Sequence, residues 1–154
     1  MRYVREDIRR LSNRLSTQEE EIVMVKQGGG GMRICITFNN NITVPAELND
    51  SETARKIQDA LPLASRVNTW GHEIYFSIPV KAGLEKGATE VMEIGDIAYW
   101  PPGHALCLFF GPTPASVDDK PRAASPVNKV GRFQADSHIL KQVPDGARVE
   151  IKEA

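Results

Sequence analysis

Residues 32–154 are predicted to fold as a mainly β domain, and three observations support this class. About eight short stretches alternate apolar with polar residues, as strands with one buried face do. Turn-forming residues recur between them at intervals of about 8–12 residues. Only one stretch has convincing helical spacing, and nothing alternates strand with helix in the manner of a parallel sheet. These features favour a closed barrel or a sandwich, and periodicity alone does not choose between the two.

The domain is predicted to begin with a β-hairpin. Residues 33–38 alternate, with Ile34, Ile36 and Phe38 expected on the inner face. The asparagines at 39–41 form a turn, since asparagine tolerates left-handed backbone, and residues 42–46 return as the partner strand.

The one predicted helix follows this hairpin. Asp50 or Ser51 can cap its first turn, because their short side chains accept hydrogen bonds from free backbone N–H groups. The helix runs through Leu61, and Pro62 ends it.

A second hairpin is predicted from residues 66–70 and 73–78, turning at Gly71-His72. Side chains on a strand alternate between its two faces. The aliphatic and phenylalanine residues of the second strand therefore face the core, while Glu73 and Tyr75 share the opposite face.

The remaining chain is predicted as short strands joined by glycine- and proline-rich turns. Residues 81–88 are interpreted as a loop, and residues 111–126 as a long irregular segment. The predicted strands are 89–94, 97–100, 106–110, 128–133 and 148–151.

Residues 1–31 differ in character from the rest. Val4, Ile8, Leu11 and Leu15 recur at helical spacing, and Gly28–Gly31 form an uninterrupted glycine run that is typical of a linker. Three interpretations are open: a docking or dimerising helix, a helix packed on the domain, or an over-long reading of the gene whose true start is Met32. We favour a disordered tail or the third interpretation, because an isolated helix of about 12 residues is marginal in water.

Composition excludes several classes of function. The net charge of −1 and pI of about 6.3 provide no basic surface for nucleic acid. No apolar run is long enough to span a membrane, and the N-terminus is unlike a secretory signal. Cys35 and Cys107 lack metal-site spacing and are expected to be buried free thiols in a reducing cytoplasm, with a disulfide between two barrel strands as the alternative. We expect no metal and no cofactor.

Three stretches together carry a family resemblance: residues 70–76 (WGHEIYF), 95–103 (GDIAYWPPG) and 109–114 (FFGPTP). In this order and spacing the chain resembles the prokaryotic cyclophilin-like proteins of unknown function. Residues 46–48 and 128–131 also match, and the likeness spans residues 32–154 nearly throughout.

The resemblance implies a closed eight-stranded β-barrel with one or two short helices. True cyclophilins isomerise X-Pro bonds on the outer face of such a barrel, using an arginine and a hydrophobic pocket. This sequence lacks their Phe-His-Arg segment, and none of its arginines lies in a recognisable context. No catalytic residue can therefore be transferred, and a shared fold does not imply a shared function.

The candidate ligand-binding residues lie on strands and loops near the aromatic motifs. Glu73 can accept a hydrogen bond and Tyr75 can offer a stacking surface, although Glu73 would equally serve a structural role by pairing with an arginine. Tyr99 begins an aromatic and proline-rich edge, Phe110 would extend the same cleft or belong to the core, and Thr113 lies in a loop able to present its hydroxyl.

The leading hypothesis is a domain that binds a small molecule or a Pro-containing peptide in a cleft on the outer face. A weak prolyl isomerase is one alternative, and an accessory subunit or domain of a larger enzyme assembly is another. We expect the protein to be a monomer, and association with a partner protein is the alternative.

Overall fold

The fold is taken from a computed structural model, which describes residues 31–154. The predicted N-terminal helix or tail and all but the last residue of the glycine run lie outside these residues. The strands of the described part are β1 (Met32–Phe38), β2 (Ile42–Leu48), β3 (Leu63–Arg66), β4 (Asn68–Thr69), β5 (Glu73–Ser77), β6 (Thr89–Val91), β7 (Asp96–Trp100), β8 (Ala105–Phe109), β9 (Arg122–Phe133) and β10 (Arg148–Glu153). Its helices are α1 (Glu52–Ala60), a 3-10 turn (Pro101–Gly103) and α2 (Ser137–Leu140).

All of these strands join one antiparallel sheet. Its hydrogen-bonded order is β3-β10-β1-β2-β9-β7-β8-β5-β4, with β6 paired to β9 beside this path. The prediction of a mainly β domain with few helices is therefore confirmed. Within residues 31–154, no helix combines the length and the apolar character needed to cross a membrane.

The hydrogen-bonded path does not close into a ring. Its two end strands, β3 and β4, follow each other in the chain with only Val67 between them. β3 pairs with β10, whereas β4 pairs with β5, so two short segments occupy the position that one continuous barrel strand would fill. The closed eight-stranded barrel is not confirmed, and the described part of the chain has ten strands instead of eight.

The first hairpin and the helix form as the local sequence dictates. Asn39 and Asn40 adopt φ angles of 51° and 62°, the left-handed backbone that the turn requires. Ser51 is the N-cap of α1, and its hydroxyl accepts a 3.2 Å hydrogen bond from the Ala54 N–H.

The prediction of an irregular segment from 111 to 126 is wrong over its last residues. β9 already begins at Arg122 and continues through Pro126. Pro126 has no backbone N–H to donate to a neighbouring strand. It is tolerated in β9 because the pairing of β9 with β6 shifts register between Arg122 and Val127, and irregular pairing of this kind accommodates proline.

Two apolar clusters lie on opposite faces of the central strands. The larger one is the main core and includes Ile74, Phe76 and Tyr99. The smaller one packs on the outer face and consists of Met92, Ala98, Cys107, Phe109, Ala123 and Val127, with Tyr75 and Trp100 half-buried against it. β5, β7 and β8 thus bury both of their faces, which gives the outer face an enclosed environment.

The antiparallel pairing of β9 with β2 leaves no room for a side chain at Gly131. A Cβ atom added at Gly131 would lie 2.2 Å from the Glu47 backbone oxygen, so only glycine fits here without moving a strand. We expect Gly131→Ala to lower the free energy of unfolding by about 1–3 kcal/mol or more, measured by urea denaturation. Gly83→Ala is the control, because its Cβ would meet nothing within 4 Å. Equal stabilities of the two variants would contradict this packing.

Candidate functional site

The turn of the second hairpin places Trp70 beside Glu73. The Trp70 N–H donates to the Glu73 carbonyl oxygen at 2.9 Å, and the Glu73 N–H donates to the Trp70 carbonyl oxygen at 3.2 Å. Gly71 takes a φ of 62°, which a tight turn needs and glycine adopts without strain. Residues that close a two-residue turn point their side chains to the same face. Trp70 and Glu73 therefore lie together on the outer face of the hairpin.

The segment after β8 holds this turn in place. The His72 N–H donates to the Pro112 carbonyl oxygen, and the Phe110 N–H donates to the His72 carbonyl oxygen, both at 2.9 Å. A Cβ at Gly111 would lie 2.5 Å from Nδ1 of His72, so the glycine permits this close approach. Two of the sequence motifs that carry the family resemblance are thus in direct contact.

Trp100 and Tyr75 form two adjoining aromatic walls. Their ring centroids are 6.4 Å apart and their planes meet at 75°. Nε1 of Trp100 donates a 2.7 Å hydrogen bond to the Ser125 hydroxyl. On the other side, a Cβ at Gly103 would lie 2.8 Å from the Trp100 ring. The indole is therefore fixed in position by its packing as well as by its hydrogen bond.

These groups enclose a cavity of about 240 Å³ on the outer face of the sheet. It opens partly to solvent, and most of its lining is aromatic or aliphatic. The lining residues are Trp70, Glu73, Tyr75, Trp100, Cys107, Ala123, Ala124 and Val127.

Glu73 is the one acidic residue in this lining. It is only 6% exposed, and its Oε1 atom has no hydrogen-bond partner. The ion pairs among the described residues do not include it. Burial disfavours the charged form and raises the pKa of Glu73 from 4.5 to about 7, although a hydrogen bond from the neighbouring Cys107 thiol to the carboxyl group opposes part of this rise. Near neutral pH the cavity therefore contains a carboxyl group that gains or loses its proton readily.

Cys107 lies on β8 opposite Tyr75 and is a buried free thiol. Burial, and then the negative charge of Glu73, raise the pKa of Cys107 well above its usual range. A thiolate is the reactive form of cysteine, so Cys107 at neutral pH is an uncharged thiol and a poor nucleophile. Cys35 is also a free thiol, half-buried on β1.

Two of the five candidate residues from the sequence, Glu73 and Tyr75, line this cavity. Tyr99 and Phe110 do not, because both belong to the main core on the other side of the sheet. Tyr99 lies between Ala98 and Trp100, and strand alternation turns its ring inward, where its hydroxyl donates to the Val80 carbonyl oxygen at 2.5 Å.

Thr113 lies outside the cavity as well. Its hydroxyl donates to the Arg122 carbonyl oxygen at 2.5 Å and accepts from the Ala115 N–H at 3.2 Å. Its backbone N–H donates to the Ser116 hydroxyl at 2.9 Å. With its polar groups bonded inside the loop and a 7% exposed side chain, Thr113 shapes the chain before β9.

Two important lining residues, Trp70 and Cys107, were not among the sequence candidates, and Trp100 was considered only as part of the aromatic and proline-rich edge that begins at Tyr99. The predicted turn at Gly71-His72 already pairs Trp70 with Glu73, so the spacing alone could have identified it. Alternation along β7 would also have selected Trp100 in place of Tyr99. Cys107 could not be identified in this way, because the strand pairing that places it opposite Tyr75 cannot be predicted from the local sequence.

Comparisons with known proteins agree with this architecture. The family model described as Cyclophilin-like matches residues 32–152. The solution structure of the hypothetical protein AF2241 from Archaeoglobus fulgidus is similar, with a TM-score of 0.69 and 45% sequence identity over 82% of this chain and 98% of that chain. No curated protein matches the chain. The predicted resemblance to prokaryotic cyclophilin-like proteins of unknown function is confirmed.

The buried carboxyl should give the protein a specific pH dependence of stability. The pKa of Glu73 is raised in the folded state, so between pH 4.5 and 7 the folded protein binds more protons than the unfolded protein. The penalty for burying the carboxylate is absent below this window and fully present above it. Glu73→Gln removes this titration. Its free energy of unfolding relative to the wild type is therefore expected to increase by up to about 3 kcal/mol between pH 4.5 and 8.

Urea denaturation at several pH values measures this difference. The matched control is Glu47→Gln, since Glu47 is an exposed strand residue outside the cavity. If Glu73→Gln and the wild type kept a constant difference in stability across this range, Glu73 would not be a buried titrating group.

Proposed function

The chain belongs to the cyclophilin-like family, and we propose that its β domain binds a small ligand in the cavity beside Glu73. The ligand would lie against the aromatic walls and hydrogen-bond to the carboxyl group. This is a binding function on the outer face of the sheet, opposite the main core.

The unpartnered Oε1 atom of Glu73 is the observation that carries this proposal. More than about 90% of buried polar groups in proteins have a hydrogen-bond partner, and leaving one without a partner costs about 1–3 kcal/mol. A hydrogen-bond donor on a ligand would remove this cost. The penalty in the free protein thus becomes part of the driving force for binding.

The size of the cavity limits what it can enclose. At about 240 Å³ it is smaller than the range of about 300–1,000 Å³ that is typical of sites for drug-sized molecules. It suits a small molecule, or one side chain of a larger partner. A Pro-containing peptide could insert a single ring, but most of its length would stay outside.

The prolyl isomerase alternative receives no support from the lining of this cavity. The enzymes of that class use an arginine to draw charge from the prolyl nitrogen, and no arginine lines the cavity. Glu73 in its ionised form would add negative charge where the reaction needs a donor. A simple binding site accounts for the residues present.

Both tryptophans of the chain line the cavity, so intrinsic fluorescence reports on its occupancy. We expect members of a panel of small amines, amides and heterocycles to change this fluorescence and to raise the melting temperature. Ala124→Phe should weaken their binding at least tenfold, because Ala124 is an exposed lining residue and the added ring would fill the opening.

The matched control is Ala64→Phe, which adds the same ring at an exposed position on β3 away from the cavity. Binding that survives Ala124→Phe unchanged would place the ligand elsewhere. A panel without any effect on fluorescence or melting temperature would contradict the proposed function.

A further inference from the structure

We infer that the cavity accepts a small organic ammonium group, either a protonated amine or a methylated ammonium, between Glu73 and the aromatic rings. This inference rests on the proposed function and names the chemical class of its ligand. Two features of the lining lead to it: its unbalanced charge and the geometry of its rings.

The charge of the lining is unbalanced. Glu73 supplies a carboxyl group, and none of the other lining residues is Lys, Arg or His. A buried carboxylate without a positive partner is unfavourable, and an anionic ligand would make it more so. A ligand cation supplies the missing charge. A protonated amine also supplies an N–H donor for the free Oε1 atom.

The rings provide the second feature. A cation is attracted to the face of Trp or Tyr when it lies within about 6 Å of the ring centre, and Trp is the most effective of the aromatic residues. Tyr75 and Trp100 meet at 75°, so they form two adjoining walls and do not fill the space by stacking. Trp70 adds a third aromatic side chain to the lining. Several rings around one small volume are the usual means of holding an ammonium group.

The titratable groups around Glu73 fix how binding should depend on pH. Tyr75 comes from its own strand and Cys107 from β8, while the lining residues from β7 and β9 are uncharged. Cys107 stays a neutral thiol because burial raises its pKa. His72 lies two residues after Trp70 in the turn. Its ring stacks on the Phe110 ring, with 5.5 Å between the ring centroids, and does not line the cavity. Between pH 5.5 and 8, Glu73 is therefore the group whose charge would control the binding of a cation.

The test compares two probes of similar shape and different charge, tetramethylammonium and tert-butyl alcohol, on the full 154-residue chain. Binding is followed by the indole N–H signals of Trp70 and Trp100 at constant ionic strength with sodium chloride. We expect tetramethylammonium to bind at least tenfold more tightly than the alcohol at pH 8. Its affinity should fall by up to about thirty-fold at pH 5.5, because a carboxyl group with a pKa of about 7 is about 90% ionised at pH 8 and about 3% ionised at pH 5.5.

Three variants separate the role of the Glu73 charge from the role of the Tyr75 ring. Glu73→Gln should remove both the preference for the cation and its pH dependence, so that tetramethylammonium and tert-butyl alcohol bind this variant with similar affinity at both pH values. Tyr75→Leu removes the aromatic face and should bind tetramethylammonium at least threefold more weakly than Tyr75→Phe, which keeps that face.

The outcomes distinguish this inference from the proposed function on which it rests. If tert-butyl alcohol or other neutral probes bind as well as tetramethylammonium, the cavity binds ligands but the ammonium assignment is wrong. If no probe shifts the two indole signals, the proposed function fails with it. An unchanged affinity for tetramethylammonium in Glu73→Gln would also overturn the assignment.

One further arm identifies the source of the ammonium group. A short peptide with one trimethyl-lysine is compared with free tetramethylammonium at the same concentrations. Tighter binding of the peptide assigns the site to a side chain of a partner protein, and tighter binding of the free ion assigns it to a small solute. Both results uphold the ammonium site, whereas it is overturned if neither of them binds and methylammonium, the protonated-amine probe, does not bind either.

Discussion

Side chains alternate between the two faces of β5, so the strand that sends Ile74 and Phe76 into the main core sends Glu73 and Tyr75 to the opposite face. On most antiparallel sheets that second face meets water. Here the first half of β9 and the segment before β7 cover it with Ala123, Val127 and Met92. The carboxyl group of Glu73 is consequently enclosed without a positive partner, and the properties of the cavity follow from that enclosure.

The same enclosure links stability to binding. Burial of the carboxyl group destabilises its charged form, and this cost appears as the raised pKa of Glu73. The surrounding walls are held by independent contacts, such as the hydrogen bond from Trp100 to Ser125 and the packing of Gly103 on the indole. These contacts hold the Trp100 wall without using the side chain of Glu73. A fixed apolar shape around one unsatisfied polar group is how small-molecule sites achieve specificity.

Local sequence was sufficient for most of the elements and for two of the eight residues that line the cavity. The asparagine turn, the capped helix and the hairpin at Gly71-His72 each depend on residues close together in the chain, so they could be predicted. Glu73 and Tyr75 share one face because side chains on a strand repeat every two residues. Assigning Tyr99 to the same face overlooked that period, because its neighbour Trp100 is the residue that points outward.

Long-range pairing set the limit of prediction. The start of β9 at Arg122 depends on contacts with β6, which lies about thirty residues earlier and supplies no local signal. Cys107 reaches the cavity only because β8 pairs with β5 in a register that sets it against Tyr75. Closure of the sheet could not be predicted for the same reason. It depends on β3 pairing with β10 while β4 pairs with β5, and these partners are distant from one another in the sheet.

The most direct test of this account is an NMR titration of the side-chain carboxyl carbon of Glu73, assigned by its loss in Glu73→Gln. A titration midpoint near pH 7 is expected, because burial without a positive partner raises the pKa of this carboxyl group. A midpoint close to the ordinary value of 4.5 would show that Glu73 is solvated or paired, and would contradict the central claim.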